Sequence, residues 1–506
     1  MKIFFLFSLK FLDLPLAACK EINKKHSDLE LCGLVAGRKI VCDNIDSNKF
    51  YPVKHYDFLN DLAKQWLTKS LDQEKLVRIR EVVGDKALRN LVVSDREIGA
   101  GFVSGGITDK TSLSEITKND PEKRLIYVIE LVDYALEYLK EHKPNIVFLY
   151  WIAGSTAYAF YLASKALGIP VLNLPVVRIK DYWALDDGIT NDLSSVKSVY
   201  LKSLSEPKII EDEIESAQKY LKEYRARPVK PAYMKHFESN YTIIQLIKQL
   251  IKDSITFVGI KLGVKGSKDI LGQRKGFNIA YQALFKFSEA RKALKNKHPD
   301  FIRFEQLAEG TDYVFFPLHF DPEASTMVLA PDLTDQLHII ERIAKNMPFN
   351  MKLVVKEHTP MLGKRPKGFY ERIKNIPDVY LINPFNSSDE IIRQSKLVTV
   401  ITGTAALEAV LLGKPAMILG NMFISTLKTG VTKSNLEELY KKIPQAINNN
   451  PKESDTEKFL ASVFKEGFKM DFNDVWYNVS PKMMEEKPEY AQSLAAAILR
   501  FQSRHL

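Results

Sequence analysis

The sequence predicts an α/β protein built from two parallel-sheet domains. Three observations carry this expectation. Short apolar runs alternate with helical patterns along most of the chain. One strand–turn–helix–strand unit recurs in both halves. Polar, cationic and hydroxyl residues collect directly after the strands predicted in the second half, the edge at which parallel sheets bind ligands. A chain of 506 residues also exceeds one ordinary core.

The first domain is read as residues 1–205. Its opening, Met1 to Cys19, shares features with a secretory signal: an early Lys2, Phe and Leu richness, and Leu16-Ala-Ala-Cys19 as a lipoprotein-type cleavage site. Lys10 and Asp13 interrupt the apolar stretch, which a signal core does not tolerate. The preferred reading is a buried strand over 3–7, a helix over 14–25 and a strand over 29–35. A second unit is clearer. Asn145-Ile-Val-Phe-Leu-Tyr150 is a continuous apolar strand, residues 157–167 form a helix, Gly168 and Pro170 end it, and residues 171–174 form the next strand. That order spells a parallel crossover.

Residues 206–305 lack such strand runs and are rich in Lys, Glu and Arg. Residues 243–252 place Ile and Leu among lysines at helical spacing, and Lys261, Lys265, Lys268, Arg274 and Lys275 follow. This is a basic helical connector, either a solvated face packed on the lobes or a surface for an anionic membrane or acidic glycan.

The second domain, residues 306–445, alternates strand and helix throughout. Strands are expected at 313–318, 352–355, 379–382, 397–401 and 416–419, with helices at 335–345 and 405–412. Ser387-Ser-Asp-Glu390 reads as a capping box opening another short helix. Residues 446–506 read as C-terminal helices, the last of them, 490–502, amphipathic. Ile152-Ala-Gly-Ser-Thr-Ala157 with Gly168-Ile-Pro170 is echoed by Ile401-Thr-Gly-Thr-Ala405 with Gly413-Lys-Pro415.

Composition narrows the function classes. Apolar residues make up 45% and charged residues 26%, the balance of a folded globular chain. The net charge of +10 suits an anionic partner, a nucleotide, a phospholipid surface, an acidic glycan or a nucleic acid, or equally serves simple solubility; of these partners the motifs below favour the first three, and no nucleic acid is expected. Cys19, Cys32 and Cys42 are odd in number and lack a His cluster beside them, so neither a disulfide framework nor a zinc site is expected. No uninterrupted apolar run reaches the roughly 20 residues of a membrane span. A cytoplasmic protein, peripheral at most to the inner membrane face, is the expectation.

Chemistry is sought after the strands of the second domain. Thr402-Gly403-Thr404 stands directly before a helix, where backbone N–H groups and hydroxyls can hold a phosphate; an ordinary helix cap is the bland alternative. Glu408, one turn on, could accept from ribose hydroxyls or simply face solvent. Lys356 and His358 follow a buried strand and can neutralise a phosphate leaving group without a metal. His319-Phe-Asp-Pro-Glu-Ala-Ser325 follows the first strand and includes Glu323 and Ser325.

Three segments, Tyr313-Val-Phe-Phe-Pro-Leu-His-Phe-Asp-Pro-Glu-Ala-Ser-Thr326, Val355-Lys-Glu-His-Thr-Pro360 and Ile401-Thr-Gly-Thr-Ala-Ala-Leu-Glu-Ala409 with Gly413-Lys-Pro415, resemble the capsule polysaccharide biosynthesis family, which includes Kdo transferases. The resemblance covers the second lobe well and the first loosely. It implies a GT-B fold: two Rossmann-like lobes facing across a cleft, the nucleotide held mainly by the second. It also implies that His358 contacts phosphate and that Thr402 and Thr404 form the Ser/Thr phosphate site. Two departures stand out: Thr359 separates His358 from Pro360, and Asp321-Pro-Glu323 replaces a common Gln-Pro-Glu.

A general base for an acceptor hydroxyl is expected from the first lobe. Asp186-Asp187-Gly188 resembles the acidic motif of bacterial sialyltransferases, and Asp95-Arg96-Glu97 precedes Gly99-Ala-Gly101 and Gly105-Gly106. Asp187 ranks first and Glu97 second; either could instead be a turn carboxylate. The expected activity is metal-independent, inverting transfer of a sugar from a nucleotide donor, CMP-Kdo-like or other, to a glycan or lipid-linked acceptor, with no cofactor. The rivals are a sugar-nucleotide epimerase and a non-catalytic polysaccharide-binding or export-coupling protein.

Overall fold

The computed structural model describes residues 1–8, 12–36, 53–99, 102, 112–226, 242–264, 270–271 and 279–505. Cys42, Gly101, Gly105, Gly106, Lys265, Lys268, Arg274 and Lys275 lie outside the described residues.

Two parallel sheets form the framework. The first comprises β1 (Lys2–Phe7), β2 (Glu30–Val35), β3 (His55–Phe58), β4 (Ile146–Tyr150) and β5 (Val171–Asn173) in the order β3-β2-β1-β4-β5. The signal-like opening is thus a central strand followed by the helix Asp13–Asn23, whose residues from Leu14 to Cys19 are buried. Side chains of β1 alternate between layers: Ile3, Phe5 and Phe7 pack in one core, Phe4 in another. A strand covered by helices on both faces must be apolar at every position, and Lys2–Phe7 nearly is.

The second sheet contains β7 (Tyr313–Pro317), β8 (Lys352–Lys356), β9 (Val379–Ile382), β10 (Leu397–Val400), β11 (Ala416–Ile418) and β12 (Val431–Lys433), in the order β12-β11-β10-β7-β8-β9. Tyr313 and Phe315 face one core, Val314 and Phe316 the other. Each sheet starts in its middle and reverses direction, between β1 and β4 in the first and between β7 and β10 in the second. The chain has the expected two Rossmann-like lobes, and these reversal points are where such sheets open a crevice for ligand.

The cores divide the chain differently from the boundaries read at 205 and 445. Val177, Ile179, Ala184, Leu193, Val196 and Tyr200 belong to the core that holds Phe315 and Val398. Conversely, Phe468, Met470, Leu494 and Ile498 return to the core of β1. A short antiparallel ribbon, β6 (Tyr182–Trp183) with β13 (Phe468–Lys469), marks the crossing. There Trp183 is fully buried and its Nε1 donates to Met470 O at 2.7 Å. An amphipathic pattern says that a helix has a core face, not which core it joins.

Two further differences are local. Ser387 stands before the helix Ser388–Gln394 but makes no capping side-chain hydrogen bond, so the expected capping box does not form. The short strands β3 and β12, with sequences HYDF and VTK, carry too few apolar residues to be read in advance. The described part of 206–305 is helical, as expected: Glu211–Ala226 packs on the second lobe, and Ile243–Lys261 pairs with Ile279–Leu294. Among the described residues no helix is long and apolar enough to cross a membrane.

Candidate functional site

The site grows from the reversal point between β7 and β10. β7 exits into Leu318-His319 and β10 into Ile401-Thr402-Gly403. The Thr402 amide donates to His319 Nε2 at 3.1 Å, bridging the crevice. Nε2 is therefore the acceptor, and the neutral ring carries its proton on Nδ1. A Cβ on Gly403 would lie 3.2 Å from His319 Nε2, so a residue without a side chain lets the turn approach the ring. The Thr402 hydroxyl donates to Ser325 O at 2.7 Å, and Ser325 Oγ donates to Glu323 Oε2 at 2.8 Å. Thr402, Ser325 and Glu323 thus form one connected network. Gln336 holds the His319 backbone from behind: His319 N donates to its Oε1 at 2.8 Å.

β8 delivers the second group. Lys356 is buried, and its Nζ donates to Ser388 Oγ at 3.0 Å. Glu357, also buried, accepts from Arg365 Nε at 2.8 Å, from Tyr370 OH at 3.0 Å and from the His358 amide at 2.6 Å. Arg365 is only 1% exposed; it also donates from Nη2 to His319 O at 2.7 Å and lies 4.0 Å from Asp321. A buried ion pair therefore ties the end of β7 to the end of β8. No sequence signal marks Arg365, which sits in a Gly-Lys-Arg-Pro loop between helical turns; Glu357 lies inside the Lys356-Glu-His358 segment but had no assigned role.

The electrostatics are set by burial and by a surplus of cations. Burial pushes His319 down to about 3, reinforced by His358, Arg365 and Arg178. Burial does the same to His358, also about 3, reinforced by Lys356, Arg365, Arg178 and Lys364. Both rings are neutral near neutral pH because protonation would add charge to a dry, cationic place. Among the described residues neither ring's Nδ1 has a hydrogen-bond partner. Lys364 is pushed down to about 8, first by burial and then by Lys286 and Arg96, against the opposing pull of Asp253. Arg96 comes from the first lobe, whereas Arg178 lies between Val177 and Ile179, which pack in the core of the second. Among the described residues no group of three or more His, Cys, Asp or Glu has metal-holding spacing.

The first-lobe carboxylates sit at the corresponding edge. After β5 the chain makes an excursion through Arg178 and returns at Asp186, which exchanges backbone hydrogen bonds with Asn173 at 2.9 and 3.0 Å. Asp186 is buried, its Oδ1 accepts from the amides of Asp187 and Ser194, and burial raises its pKa to about 6. Asp186 thus props the turn that presents Asp187 at the C-terminal end of β5. The Asp95 carboxylate accepts from Ser155 N at 2.9 Å, Ser155 Oγ at 2.6 Å and Glu97 N at 2.7 Å. It caps the helix Gly154–Leu167 that follows β4 and so holds Glu97 at the same edge. Thr404 immediately precedes the helix Ala405–Leu411 and forms no side-chain cap. Glu408, on that helix, acts on Tyr220 and Tyr224 and so borders the helix Glu211–Ala226.

Residues 280–464 match the family model described as "Capsule polysaccharide biosynthesis protein". No curated protein matches the chain. Solved structures with similarity include KpsC, beta Kdo 2,4 transferase, from Thermosulfurimonas dismutans, at 12% identity over 71% of this chain and 90% of that one, with a TM-score of 0.31. The UDP-GlcNAc 2-epimerase of Neisseria meningitidis, bound to UDP-GlcNAc, aligns at 11% identity over 99% and 100%, with a TM-score of 0.27. Such distant structural likenesses do not choose between transferase and epimerase. The second lobe, with the helix that precedes it, is thus the part of the chain that is similar to the capsule polysaccharide biosynthesis family.

Proposed function

We propose that the protein is a glycosyltransferase that moves a sugar from a nucleotide-activated donor to a glycan or lipid-linked acceptor in surface polysaccharide synthesis. The observation that carries this is the pair of neutral histidines, buried His319 and half-buried His358, set among Lys356, Lys364, Arg365 and Arg178 at the β7–β10 reversal point of a capsule-family-like domain. Lys356 and His358, with the turn Thr402-Gly403-Thr404, hold the donor phosphate, and the Nδ1–H of His319 adds a donor. Glu408 serves the ribose hydroxyls, and Glu323 and Ser325 border the sugar.

In the reaction the acceptor oxygen forms a bond to the anomeric carbon while its proton passes to Asp187. The bond from that carbon to the phosphate oxygen breaks on the opposite face, and its electron pair leaves with the nucleotide, so configuration inverts. Fixed cations meet the developing phosphate charge. Glu97 is the second candidate for the base. CMP-Kdo is one donor that suits this reading. Thermal shift with cytidine and uridine nucleotides identifies the base, and transfer is then assayed with the matching sugar nucleotide and glycan acceptors, with and without chelator. Interconversion of the free sugar nucleotide without an acceptor would overturn the proposal in favour of an epimerase.

A further inference from the structure

The helix Ile243–Lys261 has an apolar face that nothing among the described residues covers. It begins with a capping box, Thr242 with Gln245, and of its residues only Leu246 is buried, in a small core with Ala290, Ala293 and Leu362. Away from that contact stand Ile244 at 66% exposure, Ile247, Ile251, Ile255 and Val258, with Leu262 at 72% just beyond the helix end. At about 100° per residue these six side chains fall within an arc of about 80°. Lys248 and Lys252 border one edge of the arc and Lys261 the other. The only carboxylate on the helix, Asp253, lies on the opposite side, half-buried, where it acts on Lys286 and Lys364.

An aliphatic stripe edged by lysines, with no acid on its face, has the chemistry of a helix lying in a lipid headgroup layer. A second copy of the chain would set the same lysine-edged stripe against itself, like charge near like charge. An anionic bilayer offers apolar chains under the stripe and phosphates beside the lysines. We propose that Ile243–Lys261 lies in the plane of an anionic membrane surface. Its other face is packed on Ile279–Leu294, which fixes the in-plane orientation. The anchor is joined to the candidate site. A Cβ on Gly363 would lie 2.0 Å from Lys286 Cα, so the backbone of the partner helix Ile279–Leu294 touches the loop between His358 and Arg365. The inference stands on this helix and does not depend on the transfer reaction.

The test is co-sedimentation of the full chain with phosphatidylcholine vesicles, alone or with about one third phosphatidylglycerol, at low and high salt. Binding is expected only to the anionic vesicles, weakening as salt rises. The triple variant Ile247→Ser, Ile251→Ser, Ile255→Ser should cut partitioning by about tenfold or more. Its melting should stay unchanged, because all three positions are exposed. Lys248→Gln with Lys252→Gln should weaken binding by about fivefold per lysine while leaving the stripe intact, and this variant keeps the test open if the triple variant folds poorly. Absence of vesicle binding by the unaltered chain overturns the proposal. So does a concentration-dependent dimer that the triple variant disperses in a chain that ignores vesicles; the stripe is then a self-association surface.

Discussion

Replacing Arg365 by Met should destabilise the second lobe by about 3–5 kcal/mol, the range for breaking a buried ion pair by removing one partner. The guanidinium is 1% exposed and holds Glu357 through two nitrogens and the His319 carbonyl through a third contact. Met retains much of the stem's volume but leaves the Glu357 carboxylate, equally buried, to Tyr370 OH and the His358 amide. The loss therefore comes from a stranded charge rather than a cavity. Adding Glu357→Leu should recover much of it, so a double-mutant cycle should show strong coupling rather than additivity. Thermal melting is the assay, and for a unit of this size about 2–4 °C per kcal/mol predicts a drop of about 6–20 °C for the single variant. Nucleotide affinity should fall too, because the pair anchors the backbones of His319 and His358. A single variant within about 0.5 kcal/mol of the unaltered protein, or an additive double variant, would refute the view that this pair joins the two strand ends.

His358→Ala should weaken nucleotide binding by about 1.5–3 kcal/mol with the circular dichroism spectrum unchanged; titration calorimetry giving unaltered affinity would remove His358 from the phosphate site. The histidines also set a pH dependence. Their folded pKa values lie near 3, below the unfolded value, so between about 3 and 6.5 the unfolded chain binds protons that the folded chain does not, and stability falls as pH drops through this window. Each should contribute about 1.6 kcal/mol of loss between pH 6.5 and 5, and chemical denaturation of His319→Gln or His358→Gln should show a correspondingly shallower decline than the unaltered chain. Asp186, raised to about 6, opposes this trend in every variant alike, so the comparison isolates the histidines. Asp187→Asn should lower turnover by about 10²–10⁴-fold with nucleotide affinity near normal, and Asp186→Asn should be milder; full activity in Asp187→Asn would move the base to Glu97.

Several features were legible because they are local. Lys2–Phe7 and Tyr313–Pro317 are apolar at nearly every position, as strands buried on both faces must be, and their alternation with helices announces parallel sheets. Lys356, His358 and Thr402 could be chosen because a residue just after a parallel strand is bound for the sheet's ligand edge, whatever the rest of the chain does. The sequence by itself thus determined two doubly wound sheets and which residues leave their C-terminal edges. Only the tertiary structure decided which loops meet there. Arg178 acts on His319 and His358 from a segment well over a hundred residues earlier that crosses into the second-lobe core, and Arg365 joins two strand ends from a loop without periodicity. His319 follows its strand in plain sight, yet its orientation depends on an amide 83 residues away. The aliphatic pattern of Ile243–Lys261 reads equally well as a core face or a surface stripe, since periodicity says that residues share a side and packing alone says which side is covered. Contacts between residues distant in sequence leave no local mark, because they form only once both lobes have closed their cores.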